Sequence, residues 1–252
     1  MRVILLTAFL SLMPFSLRAD PLTFAFPDSY APLVWNDAGQ IKGIGVDVLN
    51  IALKDKLDLE VVYKSYPWAR AQEEVRKGEA DAFVTVPTAV RSSYTTCSKE
   101  PLLVLEVGVY TYKGHPRRDE LLQIRSYDDL GDFILVEYRG NDWTRSQEKD
   151  LKVIWADSLE LTYRMLAGKR GDLVVRNNFN FDYFMRNSEL KNEIEKMPGI
   201  LASLPLHLCI GKESEYIGIL PAFDETIKGM KADGSIDKIF AKYGKEILPA
   251  GS

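Results

Sequence analysis

Apolar positions in this chain switch between two periods, and the switches mark out its elements. Residues 22–26 and 59–63 are short runs rich in Leu, Val and Phe that predict strands, while residues 46–57 carry apolar side chains at three- and four-residue spacing, predicting a helix. The most informative run is 66–91, Y-P-W-A-R-A-Q-E-E-V-R-K-G-E-A-D-A-F-V-T-V-P-T-A-V-R. Trp68 opens a helical pattern that stops at Gly78, residues 82–85 read as a buried strand, and the loop after it delivers Arg91. An aromatic ring to stack on and a guanidinium fork for a carboxylate are ingredients of small-molecule capture.

A second series follows a change of pattern at Pro101. Residues 102–112 are a long apolar run closed by the charged turn 114–120. Strands are predicted over 133–138, 153–156 and 173–175, and helices over 142–149 and 158–167. Residues 206–210 add a strand, and 221–243 are helical with Asp233-Gly234-Ser235 as a stop and restart. Strands alternating with helices predict α/β architecture with a largely parallel sheet, and two such series predict two lobes joined by two crossings.

The first 19 residues are of another kind. Met1 and Arg2 precede an apolar run, 3–17, and Leu17-Arg18-Ala19 resembles a cleavage site before Asp20; the run is shorter than the roughly 18 to 20 residues that span a bilayer. Residues 1–19 therefore read as a secretory signal peptide, and the remainder as a soluble exported protein. Its removal takes Arg2 and Arg18 but no acidic residue, so the mature chain is more acidic than the full-length net charge of −4. That balance argues against nucleic acid as a partner.

Cys97 and Cys209 are the only cysteines. In an exported protein they could form a disulfide closing a long loop, but two separate buried thiols are the favoured reading. His115 lies in a polar Gly-His-Pro turn and His207 in an apolar run; with no second ligand at metal spacing, neither a metal site nor a cofactor is implied.

Several segments, taken in order, resemble the periplasmic solute-binding proteins of the polar amino-acid type, family 3, which feed ABC importers. Tyr30-Ala31-Pro32-Leu33, then residues 36–47 (N-D-A-G-Q-I-K-G-I-G-V-D), are similar to the family's Y-x-P-F and D-x-x-G-x-x-x-G-F-x-x-D-L. Residues 77–82, Thr88-Ala89-Val90-Arg91, Cys97-Ser98-Lys99-Glu100-Pro101, 126–130, Gly140, Gly171-Asp172 and 231–235 continue the match. The resemblance implies a two-lobed, type II periplasmic-binding-protein-like fold, with two α/β lobes joined by two hinge strands around a ligand cleft. The implied first lobe is 20–103 plus 209–252, and the second 104–208. The crossings would lie near 102–105 and 206–210, with Cys97 and Cys209 close by. The implied partners are a small-molecule ligand and an ABC transporter membrane permease, served by a monomer that works by closing on its ligand.

The resemblance also implies a ligand-binding set. Tyr30 and Trp68 would face each other across the first lobe and sandwich the ligand's apolar body. Arg91 would grip an α-carboxylate through paired hydrogen bonds, with Thr85 and Thr88 adding hydroxyl donors. Arg70 reads as a solvated helix charge. In the second lobe Asn141 and Asp142 follow Gly140, where the family has a small hydroxyl residue, and Asn177 stands where it has an acid that holds the ligand's amino group. An amide there supplies no full countercharge. Either Asp142 replaces the missing anion, or the ligand is not a standard α-amino acid. Asp172 is expected to fix a strand start, and Arg176 to be exposed or on the hinge side. Alternatives of other classes are a cleft enzyme resembling cyclohexadienyl dehydratases, with Asp142 or Glu137 as acid, and a periplasmic ligand sensor.

Overall fold

The computed structural model describes residues 20–139, 151–186 and 188–243. The chain opens with β1 (Leu22–Pro27), in which Phe24, Ala25 and Phe26 are all buried. A strand covered on both faces shows this continuous run rather than alternation. A small antiparallel sheet follows, made of β2 (Ser29–Tyr30), β3 (Val34–Asp37) and β4 (Gln40–Lys42). It packs onto the start of the helix Ile44–Leu49, where the Ile44 amide donates to Pro32 O and the Gly45 amide to Leu33 O, each at 2.9 Å. Gly43 permits this approach, because it sits at φ 137° and a Cβ there would lie 2.3 Å from Leu33 O. The expected helix over 46–57 is thus α-helical at first and then widens to a π-helical turn, Asn50–Asp55.

β5 (Val61–Tyr66) lies parallel to β1, in register from Leu22–Val61 to Pro27–Tyr66. The helix Trp68–Lys77 buries Ala71 and Val75, carries Arg76 and Lys77 in its last turn, and ends on Gly78 in the left-handed region at φ 77°. β6 (Ala82–Thr85) returns beside β1. Arg91 stands not on a loop, as expected, but on a short helix, Ala89–Tyr94, which leads directly into β7 (Thr95–Cys97).

β8 (Leu103–Tyr112) crosses into the second lobe, where β9 (Ile134–Tyr138), β10 (Lys152–Ala156) and β11 (Leu173–Asn177) run parallel to one another. The helix Leu159–Ala167 starts on Ser158, whose hydroxyl accepts from the Leu161 amide. Asp172 fixes the start of β11, since its Oδ2 accepts from the Ile134 amide at 2.7 Å and its Oδ1 pairs with His115 Nε2 at 3.1 Å. That partner buries His115 rather than leaving it in an open turn.

The return crossing is longer than the expected strand over 206–210. β12 (Ile194–Gly211) is an 18-residue strand antiparallel to β8 through Leu204–Leu105 and Leu206–Leu103, and then to β6 from His207–Thr85 to Ile210–Ala82. It belongs to both halves of a continuous sheet ordered β10-β9-β11-β8-β12-β6-β1-β5. The architecture is a two-lobed α/β fold of the periplasmic-binding-protein type, its lobes connected through β8 and β12. Separate clusters form the two cores, one around Phe24, Leu49 and Phe223 and others around Leu135, Leu173 and Tyr163.

Cys97 and Cys209 are register partners in β7 and β12 and form a disulfide, which corrects the reading of two free thiols. The chain closes with helices Leu220–Ala232 and Ser235–Lys242, separated at Gly234 (φ 73°) as the Asp-Gly-Ser sequence predicts. Buried Asp224 on the first of these accepts from the amides of Lys99 and Glu100 and holds the turn after Cys97. Among the described residues no helix is long and apolar enough to cross a membrane.

Candidate functional site

The parallel strands of each lobe end at one edge of the sheet, and the chemistry gathers there. In the first lobe β1, β5 and β6 end at Pro27, Tyr66 and Thr85, and the segments that follow carry Tyr30, Trp68, Thr88 and Arg91. In the second lobe β9 and β11 end at Tyr138 and Asn177. A cavity of about 440 Å³ lies between the lobes and is lined from the first by Ser29, Tyr30 and Ala31. From the second it is lined by Tyr138, Arg176, Asn177 and Asn180, with apolar walls that include Val107, Leu159 and Phe184.

Hydrogen bonds join the two sides directly. Asn177 Nδ2 donates to Tyr30 Oη at 3.1 Å, and Asn180 Nδ2 donates to the Ala31 carbonyl. Asn180 is placed by Asn177, which bonds both its amide N–H and its side-chain oxygen. The strand β11 runs two residues beyond the predicted 173–175, the helix Asn178–Arg186 begins immediately after Asn177, and Asn177 caps this helix while facing the cleft. The Tyr30 ring is 36% exposed, but burial of its hydroxyl end pushes its pKa up to about 12.

Arg176 lies on the cavity wall and not on an exposed or hinge-side face. It is 6% exposed and makes two hydrogen bonds to the fully buried Glu137, from Nη1 to Oε2 at 2.8 Å and from Nη2 to Oε1. Leu173 on β11 is in register with Leu135 on β9, which brings Arg176 level with Tyr138, and its guanidinium sits 5.0 Å from that ring. Burial alone would pull Arg176 down, but the Glu137 charge and hydrogen bonds outweigh it and hold its pKa above the ordinary value. Strand alternation alone placed Arg176 on the wrong side. The signal for this pair is Glu137 on the neighbouring strand, one position before the residue level with Arg176, and register is invisible until the strands are paired.

Trp68 and Arg91 form a second group, on the first lobe. Arg91 stands 5.4 Å from the Trp68 ring centroid, donates from Nε to Gln72 Oε1 at 3.0 Å and from Nη1 to Val86 O at 2.9 Å. Among the described residues its Nη2 has no hydrogen-bond partner. Burial draws its pKa below the ordinary guanidinium value. Trp68 packs edge-on against Phe83 at 5.8 Å and makes no ring contact with Tyr30. Thr88 caps the Arg91 helix through its hydroxyl, and Thr85 is buried in the sheet opposite His207. These four residues do not line the cavity that holds Tyr30 and Asn177. Arg70 is exposed and bonded to Glu74, as a solvated helix charge should be. Asn141 and Asp142 lie outside the described residues.

The model of the bacterial extracellular solute-binding proteins, family 3, matches residues 22–246. The chain belongs to this family. Solved structures similar to this family 3 protein include a histidine kinase sensor domain with similarity to periplasmic binding proteins, with 16% identity, a TM-score of 0.69, and 91% of this chain and 98% of that one covered. The GluR0 ligand-binding core from Nostoc punctiforme in complex with (L)-glutamate gives 19% identity and a TM-score of 0.68, over 89% of this chain and 99% of that one. The ancestral amino acid-binding protein AncCDT-1, a precursor of cyclohexadienyl dehydratase, gives 20% and 0.66, over 89% and 95%. No curated protein matches the family 3 sequence.

Proposed function

We propose that this family 3 protein is an exported, periplasmic solute-binding protein, freed of residues 1–19 as a signal peptide, that captures a small polar solute by cleft closure. It then delivers the solute to the membrane permease of an ABC importer. The observation that carries this reading is the cavity of about 440 Å³ walled by Tyr30 and Ala31 from one lobe and by Arg176, Asn177 and Asn180 from the other. A ligand there touches both lobes only when they are together, so binding favours the closed form by its differential contacts.

The hinge belongs where β8 and β12 run side by side, with residues 20–103 and 209–252 as the first lobe and 104–208 as the second. Trp68 and Arg91, with Thr85 and Thr88 nearby in the chain, would form the first-lobe platform, and the Nη2 of Arg91, without a hydrogen-bond partner among the described residues, would be its donor. The enzyme alternative loses Glu137 as its acid, because both carboxylate oxygens are engaged by Arg176. A sensor role uses the same cleft and is supported by the fold shared with a histidine kinase sensor domain.

A thermal-shift panel of amino acids, small carboxylates, amides and amines tests the reading. A true ligand at about 100 times its Kd stabilises the protein by about 2.7 kcal/mol, a rise in Tm of a few degrees. A flat response to the whole panel contradicts it.

A further inference from the structure

We propose that the helix Asn178–Arg186 is a clasp that holds the two lobes together through contacts of the chain alone, so that the closed cleft is populated before any solute binds. Such a clasp sets the balance between open and closed forms whatever the cleft takes.

One face of the helix belongs to the second lobe. Phe181 stacks on buried Tyr110 with ring centroids 3.6 Å apart and meets Tyr163 edge-on at 5.7 Å, while Phe184 lies 4.7 Å from Tyr163. Phe179, Tyr183 and Arg186 follow at four- and three-residue spacing on another face, and each reaches the first lobe. Phe179 is buried in the first lobe's core cluster, its ring 5.1 Å from that of Phe240. Tyr183 lies 6.1 Å from Trp35, and Arg186 Nη2 donates to the Tyr243 carbonyl. Trp35 and Tyr243 meet edge-on at 6.3 Å, and the Tyr243 hydroxyl donates to Asp47 Oδ2 at 3.0 Å, which fixes this receiving surface to the first lobe. The bonds from Asn177 to Tyr30 and from Asn180 to the Ala31 carbonyl extend the same seam into the cleft.

Tyr30, Ala31, Asn177, Asn180 and Tyr183 all line the cavity, so drawing its walls apart separates these pairs. An opening that lifts the helix off the first lobe also takes Phe179 out of an apolar core and into water. Both partners in every contact are protein groups, so the resistance to opening is present without a ligand, and a solute that touches both walls adds to it. The consequence is pre-organisation: less of the solute's binding energy is spent on closing the lobes, and its entry and exit wait on release of the clasp.

Double electron–electron resonance on residues 20–252 measures the separation of the lobes, with spin labels at Arg70→Cys and Glu160→Cys, two exposed positions near the starts of helices on opposite lobes. Labelling without reductant keeps Cys97 and Cys209 paired. Prior unfolding in guanidinium chloride, dialysis and refolding strips any solute carried through purification. Wild type without added solute is expected to give mainly one short distance. Tyr183→Ala with Arg186→Ala, which truncates two exposed side chains, should bring in a second, longer distance as the open-to-closed ratio rises about tenfold or more. Phe179→Ala removes the buried anchor and should open the cleft further; should it not fold, the exposed double variant decides alone. A long or broad distribution in the wild type overturns the clasp, and so does a short distance that the double variant leaves unchanged. Neither result touches the solute-binding reading, which the thermal-shift panel tests separately.

Discussion

At Arg91 the guanidinium donates to Gln72 Oε1 and Val86 O within its own lobe and lies over Trp68, whereas at Arg176 two of its nitrogens are closed onto a buried carboxylate. The first keeps a donor for something else; the second is a fixture of the cavity wall. Glu137→Gln should therefore be severe, destabilising the protein by about 3 to 5 kcal/mol in denaturant unfolding, because it leaves the Arg176 charge buried without a counterion. The paired replacement of both residues by Met should recover most of that loss. A mild Glu137→Gln effect would mean that water reaches the pair. Tyr30 gives a pH test. With a folded-state pKa of about 12, against an ordinary value of about 10, the neutral hydroxyl contributes stability that is complete below about pH 10 and is lost as pH rises toward 12. A spectrophotometric titration of wild type minus Tyr30→Phe should show the missing phenol near pH 12. A missing transition near 10 would show that the Tyr30 hydroxyl stands in water. The motif order singled out Tyr30 and Asn177, which the fold brings to one cavity, and also Trp68 and Arg91, which it places outside that cavity. The bond from Asn177 to Tyr30 was not legible in the sequence, because it spans 147 positions and depends on how the lobes meet.

At the scale of elements, periodicity gave the helix Trp68–Lys77 and the strand Ala82–Thr85 their observed limits, since Pro67 and Gly78 punctuate one and buried apolar residues fill the other. It missed the small sheet β2-β3-β4, whose strands are only two to four residues long and too short to show alternation, and the helix Asn178–Arg186, whose Asn-rich start reads as loop. Tertiary support decides both. The β7–β12 pairing was hidden for the same reason, and with it the disulfide. Cys97–Cys209 closes a loop of 112 residues and ties the Arg91 helix to β12, as Thr95 Oγ1 donates to Arg91 O next to it. Cys97→Ser should cost about 2 to 5 kcal/mol in chemical unfolding relative to the oxidised protein. It should match wild type under reducing conditions; equal stability with and without reductant in wild type would contradict the bridge.

Across the whole molecule, one strand, β12, belongs to both halves of the sheet, and each half brings its parallel strand ends to a common cleft. The two-lobed fold was readable from the repeated strand–helix cadence, because local patterning repeats once per lobe. How the two lobes meet was not, since it depends on a few long-range contacts such as Asn180 to the Ala31 carbonyl. The account stands on one claim, that a single small solute is held between the lobes. It is tested most directly by titrating residues 20–252 calorimetrically with whichever compound stabilises the protein most, in wild type, Asn177→Ala and Tyr30→Phe. The predicted result is one site per chain, with affinity lowered about tenfold or more by the substitution at each residue. Binding unchanged in both variants, or saturation only at several ligands per chain, would contradict it.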